Sequence, residues 1–255
     1  MPSSSPLFSL LRRGAVGIAL FGLAACVNPA DEPTYASAAD PIEPFNRYMF
    51  ELNRVGDEFL GKPVAFANLT VGVQGCGATG YKLAKLLRDA GATVLVTDVH
   101  VPTMKRAVEE LGCVALGNDR NLFTEKLDIL APCALGGVLD AKTIAGLNCA
   151  IVCGTANNQL LDPAADGVAI KKKGVLYSPD FVANAGGLIR LGGLYLGYTE
   201  AMVDQKVAKI EETTLAVLEE SRTQDSTANA AIAYAKRRIA AGRTSGAKKP
   251  ATVGV

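Results

Sequence analysis

The residues of this chain with the clearest potential for chemistry are a glycine-rich turn and one carboxylate that follows it. In the turn, residues 75–80 read GCGATG, and Asp98 lies 21 positions after Gly77. The backbone N–H groups of such a turn attract phosphate oxygens where a helix begins, and a carboxylate accepts hydrogen bonds from ribose hydroxyls. These residue types at this spacing predict a site for a dinucleotide.

The elements needed to position these groups follow one another along the chain. Residues 69–74 are apolar and β-branched, which is typical of a buried parallel strand. After the turn, leucines recur on one face of a predicted helix that stops at Gly91, and residues 93–98 predict a second strand that ends in the carboxylate. Strand, turn, helix, strand and acid therefore occur in the order that a βαβ dinucleotide-binding unit requires.

Each group in this unit has a predicted task. Gly75 permits the tight turn, Gly77 lets a pyrophosphate approach the backbone, and Gly80 lets the helix pack closely on the strand. The negative charge of Asp98 would repel a 2′-phosphate, so the sequence predicts NAD in preference to NADP. The alternative is a glycine-rich turn of another doubly wound fold that binds nothing.

The rest of the pattern predicts an α/β fold, a Rossmann-like doubly wound and mostly parallel sheet with C-terminal helices. Strand ends in such a sheet lead into loops that line the ligand crevice. The predicted elements are a second helix that ends at Gly112, strands at residues 129–131 and 150–153, a short apolar pair at 176–177, and helices from there to Ala241 with a pause near 221–226. We assign residues 68–241 to this domain and predict that residues 242–255 are a disordered tail.

The N-terminal segment has the features of an export signal. Arg12 and Arg13 precede an apolar run that ends at Cys26, and this run is too short to span a bilayer. Residues 1–26 resemble a bacterial lipoprotein signal with lipidation at Cys26, although a buried cysteine at the end of an apolar helix is the alternative. Residues 27–67 are predicted to be a linker with a short amphipathic helix, and residues 40–53 resemble the start of Mla-pathway outer-membrane lipoproteins, which move phospholipid. A membrane-anchored lipoprotein fused to a non-catalytic module is therefore the second hypothesis.

Composition excludes several other classes of protein. The formal net charge of +1 lacks the basic excess of a nucleic-acid-binding domain, and 49% hydrophobic residues exclude wholesale disorder. His100 is the only histidine, so we predict no metal site and no Ser/His/Asp set. The scattered cysteines suit a reducing compartment, so we expect the α/β domain to be cytoplasmic unless the lipoprotein signal is genuine.

Four segments of the predicted domain resemble the Glu/Leu/Phe/Val amino-acid dehydrogenases, most closely those of the leucine type. They occur in family order and read VQGCGATG at residues 73–80, DILAPCALG at 128–136, GTANNQ at 154–159 and YSPDFVANAGG at 177–187. The resemblance implies reversible oxidative deamination of an apolar L-amino acid such as leucine to its 2-oxo acid and ammonium. Its implied partners are NAD(H) and this substrate, without nucleic acid, and a homo-oligomer is an open expectation.

The resemblance also implies which residues hold the cofactor, with Asn157 and Asn184 near the nicotinamide ribose and carboxamide. A helix cap is the alternative role for Asn184. The complete predicted cofactor-binding set is Gly75, Cys76, Gly77, Ala78, Thr79, Gly80, Asp98, Val99, Ala131, Pro132, Cys133, Ala134, Asn157 and Asn184.

The sequence departs from the family on the substrate side. The family's Gly-rich lysine segment, its second lysine and the assisting aspartate have no match, and Gly61-Lys62-Pro63 is only a faint echo. After Asn184 the family usually continues Val-Ile-Asn-Val, whereas residues 188–193 read LIRLGG. We therefore assign no catalytic residue and expect NADH binding with little or no turnover.

Overall fold

The computed structural model describes residue 66 and residues 68–117 and 121–244, with side chains up to residue 242. The predicted signal, the lipidation site Cys26 and the amphipathic helix lie outside the described residues. Within this part of the chain, no helix is both long and apolar enough to cross a membrane.

The centre of the fold is a parallel sheet of six strands. Its spatial order is β3-β2-β1-β4-β5-β6, and each neighbouring pair is parallel. The strands are β1 (Thr70–Gln74), β2 (Thr93–Thr97), β3 (Val114–Ala115), β4 (Leu127–Pro132), β5 (Cys149–Val152) and β6 (Leu176–Tyr177). This order reverses between β1 and β4, where ligands bind in doubly wound sheets. The predicted fold class is confirmed.

Helices cover both faces of the sheet, which explains why its central strands are apolar on both sides. One face packs against α1 and α2 through a core that includes Val71, Leu83 and Ala107. The other packs against α3 and α4 through a core that includes Leu130 and Ile170. The helices are α1 (Ala78–Asp89), α2 (Val101–Leu111), α3 (Ala141–Gly146), α4 (Pro163–Lys172), α5 (Asp180–Ala183), α6 (Ala185–Tyr195), α7 (Glu200–Glu220) and α8 (Thr227–Thr244).

Most predicted elements occur close to the expected positions, and the differences have local causes. The pause between α7 and α8 covers residues 221–226 as predicted, while α8 continues to Thr244, beyond the expected end at Ala241. Lys171 lies exposed in the last turn of α4. Its Nζ donates to the carbonyl oxygens of Ser221, at 2.7 Å, and Gln224, and so ties α4 to the turn between α7 and α8.

Candidate cofactor crevice

The glycine turn joins β1 to α1 with very little space between them. Gly75 has φ +94°, a conformation that favours glycine. A Cβ on Gly80 would lie 1.9 Å from the carbonyl oxygen of Gly75, whereas a Cβ on Gly77 would meet no atom within 4 Å. Gly80 is therefore required for helix-to-turn packing, and the backbone at Gly77 is open to an approaching ligand.

The N-terminus of α1 keeps its hydrogen-bonding capacity for an anion. Gly77 is the N-cap residue, no side chain caps the helix, and its first turn holds no acidic residue. Ala78 is exposed and Thr79 is half-buried at this end. Unsatisfied N–H groups and the positive end of the helix dipole together favour a phosphate here.

The Asp98 carboxylate lies beside the glycine turn and is held by two backbone groups. Oδ2 accepts from the N–H of Cys76 at 2.5 Å, and Oδ1 accepts from the N–H of His100 at 2.8 Å. Val99, between them along the chain, has a fully exposed side chain. The predicted neighbourhood of turn and carboxylate therefore exists, and the hydrogen bond to Cys76 fixes their relative position.

The loop after β4 forms the second wall of the crevice, but its predicted residues differ in access. The N–H of Cys133 donates to the carbonyl of Gln74 at 2.8 Å, which draws the loop against the end of β1. Cys133 is half-buried and Ala134 is exposed. Ala131 and Pro132 are buried, and so is the side chain of Cys76, so these three support the crevice from beneath.

Burial also decides the chemistry of the cysteines in this region. It raises the pKa of both Cys76 and Cys153 to about 12, and it raises the pKa of Cys133 although a hydrogen bond with Thr155 acts in the opposite direction. A thiolate is the nucleophilic form of cysteine. These thiols are therefore poor nucleophiles at neutral pH.

At the far end of the crevice, Asn157 and Asn184 meet directly. Nδ2 of Asn184 donates to Oδ1 of Asn157 at 2.6 Å, with longer contacts of 3.5 Å to the carbonyls of Thr155 and Ala156. Asn184 does stand at the N-cap of α6, but its side chain makes no capping hydrogen bond. The capping alternative therefore fails to account for the amide.

Further residues that the sequence interpretation missed hold the loops in place. Gln159 is completely buried, and its Nε2 donates to the carbonyls of Gly154 and Ala156 at 3.0 Å each. Asp180 accepts from the N–H of Asn158 through Oδ2. The available signal in the sequence was a glutamine directly after two asparagines, because such a side chain can donate hydrogen bonds to the carbonyls of its own loop.

Helix α6 begins directly after Asn184 and exposes apolar side chains. Leu188 is 73% exposed and Leu191 is 52% exposed. Arg190, where the family usually has asparagine, is instead 1% exposed, and its Nη2 lies 3.7 Å from Oδ1 of Asp204 on α7. The departure from the family pattern thus places a charge between α6 and α7, while the exposed face of α6 stays apolar.

Comparisons with known proteins show the family to which this chain is similar. The family model for glutamate/leucine/phenylalanine/valine dehydrogenase matches residues 98–246, which is more than half of the chain and begins at Asp98. The leucine dehydrogenase of Thermoactinomyces intermedius is 40% identical over 165 residues, covering 64% of this chain and 43% of that protein. The L-tryptophan dehydrogenase of Nostoc punctiforme is 37% identical over 181 residues, covering 71% and 50% respectively.

A solved structure shows the same similarity in three dimensions. The crystal structure of the Nostoc punctiforme L-tryptophan dehydrogenase superposes with a TM-score of 0.67 at 30% identity, covering 89% of this chain and 61% of that one. The chain spans about half the length of the curated relatives that it matches. By its sequence and its fold, the chain belongs to the glutamate/leucine/phenylalanine/valine dehydrogenase family.

Proposed function

We propose that this chain binds NAD(H) as the cofactor domain of an amino-acid dehydrogenase whose substrate is an apolar L-amino acid of the leucine type. The observation that carries the proposal is the hydrogen bond between Asp98 and the N–H of Cys76. It joins the predicted ribose-binding carboxylate to the predicted phosphate-binding turn. The alternative is that this bond only stabilises the turn, and the titration below distinguishes the two.

The adenosine half of the cofactor fits this end of the crevice. The open backbone at Gly77 would receive the pyrophosphate, and the N–H groups at the start of α1 would donate to it. The Asp98 carboxylate would accept from the ribose hydroxyls and would repel a 2′-phosphate. We therefore propose NAD in preference to NADP.

The nicotinamide half fits the amide pair. Because Oδ1 of Asn157 accepts from Asn184, the pair retains the Nδ2 donor of Asn157 and the Oδ1 acceptor of Asn184. A primary carboxamide has one acceptor oxygen and one donor NH₂ group, so the two ends are complementary. When bound, the nicotinamide supplies the hydride chemistry, and the protein supplies orientation and electrostatics.

The apolar exposed face of α6, the helix that begins after Asn184, supports the proposed substrate class. Leu188 lies four residues after Asn184 on α6, and Leu191 lies one turn further along. Both are exposed, so an apolar substrate side chain would bury apolar area against them, while a charged one would gain nothing there. We propose the 2-oxo acid and ammonium as the products of deamination, and we assign no general base to the chain.

The test is a titration of NADH fluorescence against matched aspartate variants. Asp98→Asn removes the charge at the predicted ribose site, and we expect its NADH affinity to fall about tenfold or more, because hydrogen bonds to charged groups contribute about 1.5–3 kcal/mol. The preference for NADH over NADPH should narrow in the same variant. Asp128→Asn is the control, since Asp128 also accepts a backbone N–H, from Thr70 at 2.8 Å, but lies towards the opposite end of the sheet.

Two results would overturn the proposal. Wild-type protein that binds neither NADH nor NADPH would remove the cofactor assignment. Equal losses of NADH affinity in the Asp98 and Asp128 variants would refute a specific role of Asp98 in binding the ribose. For turnover, we expect leucine oxidation far below the ordinary range of about 1–1,000 per second, because the family's substrate lysines have no match in this sequence.

A further inference from the structure

The nicotinamide end of the crevice depends on a residue with an unusual backbone conformation. Asn158 has φ +52°, and among the described non-glycine residues only Asn68 shares a positive φ. Asparagine tolerates the left-handed region better than most residues, but the conformation still costs free energy. Asn158 directly follows Asn157, so the contacts that hold Asn158 also set the direction of the Asn157 side chain.

Asp180 supplies one of these contacts. Its Oδ2 accepts from the N–H of Asn158. Its Oδ1 lies 3.4 Å from the hydroxyl of the buried Tyr177, and the same hydroxyl lies 3.3 Å from the N–H of Asp180. The carboxylate is therefore fixed on β6 and α5 while it holds the loop that follows β5.

A contact from the loop after β4 completes the arrangement. The carbonyl of Asn158 accepts from the N–H of Gly137 at 2.7 Å. A Cβ on Gly136 would lie 2.5 Å from the carbonyl oxygen of Asn157. The loop after β4 therefore also contacts the peptide group between Asn157 and Asn158. The backbone of residues 157–158 is thus held on one side by Gly136 and Gly137 and on the other by Asp180.

Asp180 also begins the short helix that Asn184 caps at its C-terminal end. Helix α5 runs Asp180–Ala183, and the N–H of Asn184 donates to the carbonyl of Asp180 at 2.8 Å. The Asp180 carboxylate therefore acts on Asn157 through the neighbouring peptide, while the contact with Asn184 is made by the backbone carbonyl and does not depend on the side chain. Neither contact requires Asp180 to touch a bound cofactor.

We infer that Asp180 is a positioning residue, whose carboxylate, through the N–H of Asn158, sets Asn157 in the geometry in which the Asn157–Asn184 pair receives the nicotinamide carboxamide. This inference rests on the proposed NAD(H) site. If Asp180 has this role, its substitution should weaken binding of the nicotinamide half of the dinucleotide only. A residue that only stabilised the fold would affect both halves.

The test compares NADH with ADP, which carries the adenosine and diphosphate but no nicotinamide. We expect calorimetric titration of Asp180→Ala to show NADH affinity about tenfold below wild type, which corresponds to about 1.4 kcal/mol, and unchanged ADP affinity. Asp180→Asn keeps an acceptor oxygen, so its NADH affinity should lie between those of wild type and Asp180→Ala. Asp140→Ala is the matched control, because Asp140 also accepts a backbone N–H at a helix start, from Thr143 at 2.7 Å, and should change neither affinity.

A double-mutant cycle tests whether Asp180 acts through Asn157. If it does, Asp180→Ala should cost little further NADH affinity in the background of Asn157→Ala, whereas independent residues give additive losses. Additive losses would overturn the inference, and so would equal losses of NADH and ADP affinity in Asp180→Ala or Asp180→Asn. Failure of wild-type protein to bind either compound would instead overturn the proposed function itself.

Discussion

Replacing Gly80 by alanine should separate packing from ligand access in the glycine turn. The new Cβ would lie 1.9 Å from the Gly75 carbonyl oxygen, 2.9 Å from its carbonyl carbon and 3.2 Å from Cβ of Cys133. Normal Cβ contacts are no shorter than 3.0 Å, so α1 would have to move about 1 Å away from the turn. The two atoms closer than 3.0 Å are both backbone atoms of Gly75, so no flexible side chain can move to relieve the contact.

The expected cost combines two opposing effects. Overpacking a close contact costs about 1–3 kcal/mol, while alanine is favoured over glycine inside a helix by about 1 kcal/mol. Because the contact at 1.9 Å is with backbone that cannot yield, the upper part of that overpacking range, about 2–3 kcal/mol, applies. After subtraction of the helix preference of about 1 kcal/mol, we expect Gly80→Ala to lower the free energy of unfolding by about 1–2 kcal/mol. NADH affinity should fall more than tenfold, because the displaced helix carries the N–H groups that would face the pyrophosphate.

Two other glycines provide controls for this experiment. A Cβ on Gly77 or on Gly192 would meet no atom within 4 Å. Gly77→Ala should leave stability within about 0.5 kcal/mol and still weaken NADH binding, because its methyl group would occupy the path of the pyrophosphate. Gly192→Ala, within α6, should stabilise the protein by about 0.5–1 kcal/mol and leave binding unchanged.

Urea denaturation and NADH titration measure the two quantities independently. We expect loss of both stability and affinity in Gly80→Ala, loss of affinity alone in Gly77→Ala, and neither loss in Gly192→Ala. A Gly80→Ala protein with wild-type stability would refute the close packing of turn and helix. A Gly77→Ala protein with wild-type affinity would refute the approach of the pyrophosphate over that glycine.

Two further predictions concern thiols and acid stability. Burial raises the pKa of Cys76 and Cys153 to about 12. Iodoacetamide should therefore label them slowly in the folded protein at pH 8 and fully only in denaturant, as followed by mass spectrometry. Rapid labelling of the folded protein would contradict their burial. The N–H of Thr143 lowers the pKa of the Asp140 carboxyl below its ordinary value of 3.8, so the stabilisation it gives is present at neutral pH and is lost as the pH falls through that lowered pKa. Asp140→Asn should therefore lose less stability than wild type between pH 5 and pH 2, as measured by urea denaturation, and an identical acid dependence would exclude this contribution.

The long elements of the fold could be predicted from sequence because each has a strong local signal. β1 and β2 are apolar and β-branched, and α1 and α2 stop at glycines, so periodicity and helix-stop residues sufficed. The two-residue strand β3 was missed because Val114 and Ala115 are exposed and carry no pattern. Helices α3 and α4 were also missed as complete elements, although Asp140 and Asp162 are N-cap residues whose side chains accept backbone N–H groups.

The two ends of the crevice differ in how far the sequence predicts them, and the reason is physical. The glycine turn and Asp98 belong to one continuous βαβ unit, so their spacing along the chain already fixes their spacing in the fold. Asn157 and Asn184 are brought together instead by hydrogen bonds among the segments that follow the separate strands β4, β5 and β6. Family resemblance indicated these amides, but not Asp180.

This difference also determines which substitutions should matter for function. At the adenosine end, the sensitive positions are glycines whose missing side chains leave room, so any added Cβ acts directly on packing or access. At the nicotinamide end, the sensitive positions include a carboxylate and a left-handed asparagine that touch each other rather than a ligand. Selectivity for the nicotinamide half would then depend on how three loops are held together. Substitutions at Asp180 should therefore change cofactor affinity although Asp180 is not itself a predicted ligand contact.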